Sequence, residues 1–359
     1  MNFLFACGGS GGHIFPALAV AQELERRQPG SRVYFACGNR DIESEIFRVV
    51  PKDAVFPVSG APFRGARSIV DPRFLLKLLQ GYFQSRALLQ KLKPAVVVGF
   101  GGYVSFPVLM AAKRLGIKNA LHEQNVAPGR ANRVLSGFVD AVALSFEESL
   151  PVFRKARRKK VTGNPIRASI EKDCREEALN FFGFSPEKHT LLVLGGSQGA
   201  ESINRLFLES LPFWDDDMKR EWQALHLCGI MLPAQAEASA RSGGIFSRAF
   251  SFFGRMDLAY SAADVCLGRA GATFLAEIDA KGLPAMLVPY PHGDGHQRQN
   301  ARVFAAHRVA RVAEQSQLTP EKVARTLREL MQEAQKIPVR RTASGARAAL
   351  ADFVEELSA

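Results

Sequence analysis

The sequence predicts an α/β protein built from two Rossmann-like domains, each with its own parallel sheet. Three observations carry that reading. Short apolar runs alternate with helical segments along the whole chain, which is the pattern of repeated βα units. Two of these runs end alike, LFACGGSGG at Leu4–Gly12 and LVLGGSQGA at Leu192–Ala200, about half a chain apart. The chain has 359 residues and 47% hydrophobic content, enough to bury more than one core.

Taken in order, the stretch FLFACGGSGGHIFPALAVAQEL at Phe3–Leu24 reads as a buried strand, a glycine loop and a helix opened by Pro16. Further strands are expected at Arg32–Cys37, Ala95–Val98, Asn119–Glu123 and Ala141–Leu144, and in the second half at Thr190–Leu194, Gln223–Leu227, Val265–Leu267 and Ala285–Val288. Asp71 and Pro72 make a helix start and Pro94 a stop. On that helix Phe74, Leu75, Leu78, Tyr82, Leu88, Leu89 and Leu92 form one broad stripe, while Leu76, Leu79 and Phe83 lie on a flank beyond it. Either the helix is buried on two sides, or the flank dips into lipid headgroups while Arg73, Lys77, Arg86 and Lys91 attract an anionic membrane surface. A basic run leading into Gly163-Asn164-Pro165 breaks regular structure, so the domains are expected at 1–163 and 164–341. The helical stretch 342–357 is expected to cross back to the first domain.

Composition narrows the function. A formal net charge of +12 points to anionic partners: nucleic acid, an acidic membrane surface or phosphorylated substrates. Five scattered cysteines without CxxC spacing indicate neither a disulfide framework nor a zinc site and suit a reduced cytoplasm. No basic-then-apolar leader is present, and no run approaches about 18 uninterrupted apolar residues, so membrane contact is expected to be peripheral. Neither glycine loop is a GxGxxG, and the strand at Arg32–Cys37 ends CGNRD without an acid placed for a nicotinamide ribose, which argues against hydride transfer. A nucleic-acid binder would interleave aromatic and basic residues on one surface; here the informative polar residues sit at strand ends.

Those strand ends carry the chemistry. GGSQGA at Gly195–Ala200 suits a diphosphate, with glycines for clearance, the Ser197 hydroxyl and loop amides as donors, and the helix dipole behind them. His13 is either a cap, a packed side chain or a titrating group in a site, and GGYVSFPV at Gly101–Val108 with HEQN at His122–Asn125 would converge near it. In GRAGATFLAEIDAKGLP, Gly268–Pro284, Glu277 is either a solvated helical carboxylate or the acceptor for both hydroxyls of a ribose. PYPHGDGHQRQNA at Pro289–Ala301 brings His292, Asp294, His296, Gln297 and Asn300 after a strand, with a spacing that fits sugar contacts better than any metal ligand set.

The ordered set GGSGGHIFP, GGYVSFP, HEQN, GNPIR, GGSQGA, GRAGA with its following AE, and HQRQNA resembles the MurG family of N-acetylglucosaminyltransferases over nearly the whole chain. The resemblance implies the GT-B fold, two Rossmann-like domains facing across a deep cleft, and UDP-N-acetylglucosamine (UDP-GlcNAc) as donor with no metal or other cofactor. It implies an acceptor, lipid I, met at the cytoplasmic face of the membrane and converted to lipid II in peptidoglycan synthesis. Carried over by motif, Ser10, Gly11 and Gly12 would meet phosphates or sugar, Asn125 the N-acetylglucosamine hydroxyls, and Arg167 and Ser197 the diphosphate region. Phe253 would meet the uracil, Ala272, Thr273, Phe274, Leu275, Ala276 and Glu277 the nucleotide sugar, with Glu277 on the ribose, and Gln297 the sugar. His13 is the candidate general base. The alternatives are another GT-B glycolipid glycosyltransferase or a UDP-sugar epimerase.

Overall fold

The apolar runs become strands covered on both faces, which is what a parallel sheet requires. The computed structural model describes residues 1–62, 71–196, 200–292, 295–334 and 345–358. In the first sheet β1 (Asn2–Ala6), β2 (Arg32–Cys37), β3 (Val55–Pro57), β4 (Val96–Gly99), β5 (Lys118–Glu123), β6 (Ala141–Leu144) and β7 (Arg158–Val161) run parallel in the order β3-β2-β1-β4-β5-β6-β7. The second sheet repeats the plan. Its strands β8 (His189–Leu194), β9 (Trp222–Leu227), β10 (Phe246–Phe250), β11 (Val265–Gly268), β12 (Ala285–Leu287) and β13 (Ala310–Val312) are ordered β10-β9-β8-β11-β12-β13. In each sheet the winding reverses beside the first strand, between β1 and β4 and between β8 and β11, so the loops leaving those strands flank a topological switch point.

All the strands expected from sequence are present, and β3, β7, β10 and β13 are additional; each of the four is a sheet edge. The chain divides into two units, Met1–Arg167 with Ser344–Ala359, and Ala168–Ala343. Leu350, Phe353, Val354 and Leu357 of the terminal helix Ala346–Ser358 share one core with Phe3, Phe5 and Leu24. Arg27 binds Asp352 at 2.5 Å and Glu355 at 3.2 Å on the same helix. The second unit has a separate core around Leu191, Val193, Ile203, Phe207, Trp214 and Leu327.

Two helices differ from expectation. The first spans Gly11–Arg27 and so begins ahead of Pro16, which sits inside it and offers no amide to the Gly12 carbonyl. The helix Pro72–Leu92 has Asp71 as its cap, accepting from the Arg73 amide at 2.9 Å, and ends in left-handed Lys93 before Pro94. It packs mainly through its second half: Gly81, Ser85, Leu89 and Leu92 are buried, and a Cβ on Gly81 would lie 2.0 Å from the Ser59 carbonyl oxygen. Leu75, expected in the packing stripe, is 41% exposed and joins Leu76 (68%), Leu79 (55%) and Phe83 (59%) on the outer face.

Phe353 is fully buried against β-sheet residues far from it in sequence. Phe353→Ala is expected to cost the first unit about 3–5 kcal/mol, a buried aromatic lost to a cavity. Chemical denaturation of wild type and variant, followed by far-ultraviolet dichroism, measures the difference.

Candidate active site

The first switch point is built from loops that buried carboxylates hold in place. After β1 the chain turns through Gly9, and the Glu43 carboxylate, 1% exposed, accepts the Gly9 amide at 2.5 Å and the Arg40 amide at 3.0 Å. The Tyr103 hydroxyl, from the loop after β4, donates at 3.5 Å to Glu43 Oε1, the oxygen that takes the Gly9 amide, while the Arg40 amide meets Oε2. Ser10 is the residue before the helix, so Gly11 and Gly12 occupy its first turn, where the dipole favours an anion. Ser105 ties the β4 loop to β1: its hydroxyl lies 3.0 Å from the Ala6 carbonyl and accepts the Gly101 amide at 3.0 Å.

His13, in that first turn, is half-buried and leans toward the β4 and β5 loops. Its Nδ1 lies 3.2 Å from Gln124 Oε1. Gln124 Nε2 in turn reaches the Phe100 carbonyl at 2.7 Å, the His122 carbonyl at 3.3 Å and His122 Nδ1 at 3.1 Å, and His122 Nε2 lies 3.2 Å from the Gly163 carbonyl. Gly101 has φ +96°, and a Cβ there would sit 2.8 Å from His13 Nδ1, so only glycine lets the ring reach Gln124. Burial pushes the His122 imidazole down to about 4, keeping it neutral.

The next residues of HEQN do a different job. Glu123, 1% exposed, accepts the Asn125 amide at 2.9 Å, Asn125 Nδ2 at 3.1 Å, the Gly129 amide at 3.2 Å and Asn132 Nδ2 at 2.7 Å, so one carboxylate fixes the loop that displays Asn125. The Arg167 guanidinium stands 4.3 Å over the Phe15 ring, which places Arg167 beside the first glycine turn.

In the second unit Ser197 lies outside the described residues, as does Asp294. Arg269, in the turn after β11, is 7% exposed and joins several loops: it donates to the Val288 carbonyl at 3.0 Å, the Pro289 carbonyl at 3.2 Å, Ser202 Oγ at 2.7 Å and Gln315 Oε1 at 2.8 Å. Gly271 precedes the helix Ala272–Lys281, whose opening residues Ala272, Thr273 and Phe274 stand at the switch point. Leu275 is 2% exposed, so any contact it makes with a ligand is through its backbone, whereas Phe274 and Ala276 are half-exposed. Glu277 is 5% exposed and accepts the Tyr260 hydroxyl at 2.7 Å. Gln297 Oε1 accepts the Tyr290 amide at 2.9 Å, which aligns the turn after β12 with the helix His296–His307. Phe253 stacks among Phe250, Phe181 and Phe182 with centroids 4.9–5.8 Å apart, beyond the end of β10.

The structure therefore gathers His13, Gly12 and the HEQN loop at the first switch point, and the Ala272–Glu277 helix with Gln297 at the loops of the second unit. Glu43, Glu123, Gln124 and Arg269 were not singled out from sequence. HEQN and GRAGA flagged the neighbourhoods of three of them, but not their partners: Glu123 takes amides of its own loop and the Asn125 and Asn132 side chains, while Gln124 and Arg269 reach groups brought in from other loops. Among the described residues no three His, Cys, Asp or Glu side chains come together as a metal site, and no helix is long and apolar enough to cross a membrane.

Comparison with known proteins defines the class. Residues 3–144 match the glycosyltransferase family 28 N-terminal domain and residues 190–357 its C-terminal domain, so the fold and enzyme class are those of a hexosyltransferase. The chain is 38% identical to the Halothermothrix orenii UDP-N-acetylglucosamine–N-acetylmuramyl-(pentapeptide) pyrophosphoryl-undecaprenol N-acetylglucosamine transferase, covering 94% of this chain and 92% of that one. It is 36% identical to the Desulforamulus reducens protein of the same name, with the same coverage. The crystal structure of Acinetobacter baumannii MurG superimposes with a TM-score of 0.74 at 27% identity, over 99% of this chain and 100% of that one. The chain belongs to the MurG family.

Two buried histidines set an acid limit on stability. His122 in the first unit and His226 in the second are both pushed by burial from the ordinary 6.5 down to about 4. Between those values the unfolded chain takes up protons that the folded one refuses, so their contribution is complete above about pH 6.5 and is lost as pH falls toward 4. Each is expected to give a slope approaching 1.4 kcal/mol per pH unit in that window. Urea denaturation from pH 7.5 to 4.5 measures it, and His226→Gln is expected to flatten the slope of the second unit's transition.

Proposed function

We propose that the chain catalyses inverting, metal-independent transfer of N-acetylglucosamine from UDP-GlcNAc to the C4 hydroxyl of the muramyl sugar of lipid I, forming lipid II. The observation that carries the reading is His13, held by Gln124 at a glycine turn and helix start in a chain whose relatives are transferases of this name. The acceptor hydroxyl attacks the anomeric carbon in line, His13 takes its proton, and UDP leaves. The first unit would receive the acceptor, and the second the donor. Gly11 and Gly12 amides, Arg167 and Ser197 would carry the charge that grows on the diphosphate, a task that other transferases give to a metal. Asn125 and Gln297 suit the sugar hydroxyls, Glu277 the ribose and Phe253 the base.

The reading also requires a peripheral station at the cytoplasmic face of the membrane, where the lipid tail of the acceptor lies. The outer face of the helix Pro72–Leu92 supplies one: Leu75, Leu76, Leu79 and Phe83 are exposed together, and Arg73, Lys77, Arg86 and Lys91 are exposed around them. Exposure of that flank removes the argument for a helix buried on two sides.

His13→Ala is expected to lower turnover about 10²–10⁴-fold while leaving UDP affinity nearly intact. The assay is transfer of labelled N-acetylglucosamine to a lipid I analogue in EDTA. Wild-type product in EDTA supports the acceptor and the metal-free chemistry, and unchanged turnover in the variant removes His13 as base. For the membrane, Leu79 and Phe83 are replaced together by Ser and flotation with anionic vesicles is compared with wild type, alongside melting temperature and UDP affinity. Loss of flotation with the other two unchanged is the expected result; retained flotation assigns the contact elsewhere.

A further inference from the structure

We propose that Gln124 is a positioning residue that fixes the tautomer of His13, keeping the ring hydrogen on Nδ1 and the lone pair on Nε2. The hydrogen-bond pattern forces this from its far end. The terminal atom of Gln124 that lies 2.7 Å from the Phe100 carbonyl and 3.3 Å from the His122 carbonyl must be the amide nitrogen, because two carbonyl oxygens can only accept. The other terminal atom is then the oxygen, and it faces His13 Nδ1 at 3.2 Å. An amide oxygen cannot donate, so Nδ1 carries the hydrogen.

The second histidine obeys the same rule. His122 Nδ1 faces the Gln124 amide nitrogen at 3.1 Å and must accept, so His122 carries its hydrogen on Nε2, where the Gly163 carbonyl receives it at 3.2 Å. Full burial keeps His122 in the neutral form that this arrangement needs, its imidazole pushed down to about 4. His122 and Gly163 thereby hold Gln124 in one orientation, and Gln124 is itself only 2% exposed.

The consequence rests on reading His13 as the base. A histidine in water prefers its hydrogen on Nε2, which would point the lone pair at Gln124 instead of toward a substrate. With the tautomer fixed, the acceptor hydroxyl proton moves to Nε2 as its oxygen bonds to the anomeric carbon and the bond to the diphosphate oxygen breaks, its electron pair leaving with UDP. The Nδ1–H bond to Gln124 persists throughout and becomes charge-assisted once the ring is an imidazolium.

The test is long-range proton–nitrogen correlation on the full chain labelled with ¹⁵N-histidine, with His13 assigned by its loss in His13→Ala. A protonated Nδ1 and an unprotonated Nε2 in the neutral ring are expected in wild type; the opposite pattern overturns the proposal whether or not His13 is the base. Gln124→Met is expected to shift His13 toward the Nε2–H form and to lower kcat, measured below the variant's melting transition, about 10–10²-fold with donor KM and UDP affinity little changed; its melting temperature is expected to fall, because the buried Phe100 and His122 acceptors lose their donor. An unaltered tautomer in Gln124→Met overturns the proposal. The wild-type pattern as stated together with full turnover in His13→Ala supports the tautomer assignment and overturns the base.

Discussion

A parallel sheet that winds outward in both directions from its first strand must open a crevice where the winding reverses, and both sheets of this protein are built under that constraint. Helices after β1 and β4 cover opposite faces, so the two loops between them are not packed over by either. Most candidate binding residues of the first unit follow from this. His13 comes from the loop and helix after β1, Gly101 from the turn after β4, and Gln124 and Asn125 from the end of β5. The second unit repeats the layout with Ala272–Glu277 after β11 and Gln297 after β12.

Open loops at a sheet edge have amides that the ladder does not use, and an apo site has to hold them in place without ligand. Buried ionic groups do so here. Glu43 takes the Gly9 amide of the first turn and the Arg40 amide after β2, Glu123 takes two amides and two side-chain amides of the HEQN loop and the helix start after it, and Arg269 gives its protons to two carbonyls and two side chains in the second unit. None of these groups has an opposite charge as its main partner. They act as fixed multidentate hydrogen-bonding groups that keep the loops ordered around the helix start at Gly11 and Gly12.

How much of this was legible in the sequence follows from burial. Central strands such as β1, β4, β8 and β11 are covered on both faces and read as unbroken apolar runs. The four strands that sequence reasoning missed are the four edges. β7 reads RKKV, β10 alternates exposed Phe246 and Arg248 with buried Ser247 and Ala249, and β3 and β13 are three residues long. Short, charged edge strands resist pairing with other chains, and the same features remove the hydrophobic signal. At the site, the strand-end motifs could be located from glycine and polar clustering alone. What could not be read was which polar residue faces ligand and which faces backbone. Glu123 and Asn125 are two apart on one loop, yet the first is almost wholly spent on amides while the second is half-exposed.

The choice of an amide at residue 124 has a physical logic that a carboxylate would not meet. One end of the side chain faces three acceptors, the Phe100 carbonyl, the His122 carbonyl and His122 Nδ1, and a buried carboxylate oxygen there would be repelled by all three. Only a group that donates at one end and accepts at the other fits between those acceptors and an imidazole N–H. The second unit uses the same grammar: Asn204 Nδ2 donates to the Cys228 carbonyl at 2.8 Å, which turns Oδ1 toward His226 Nε2 at 2.9 Å. There the ring is fully buried and the arrangement ends in packing. In the first unit the ring that ends the same backbone-to-amide-to-imidazole sequence, His13, is half-exposed at a helix start, where the proposed transfer of a proton from the acceptor hydroxyl would take place.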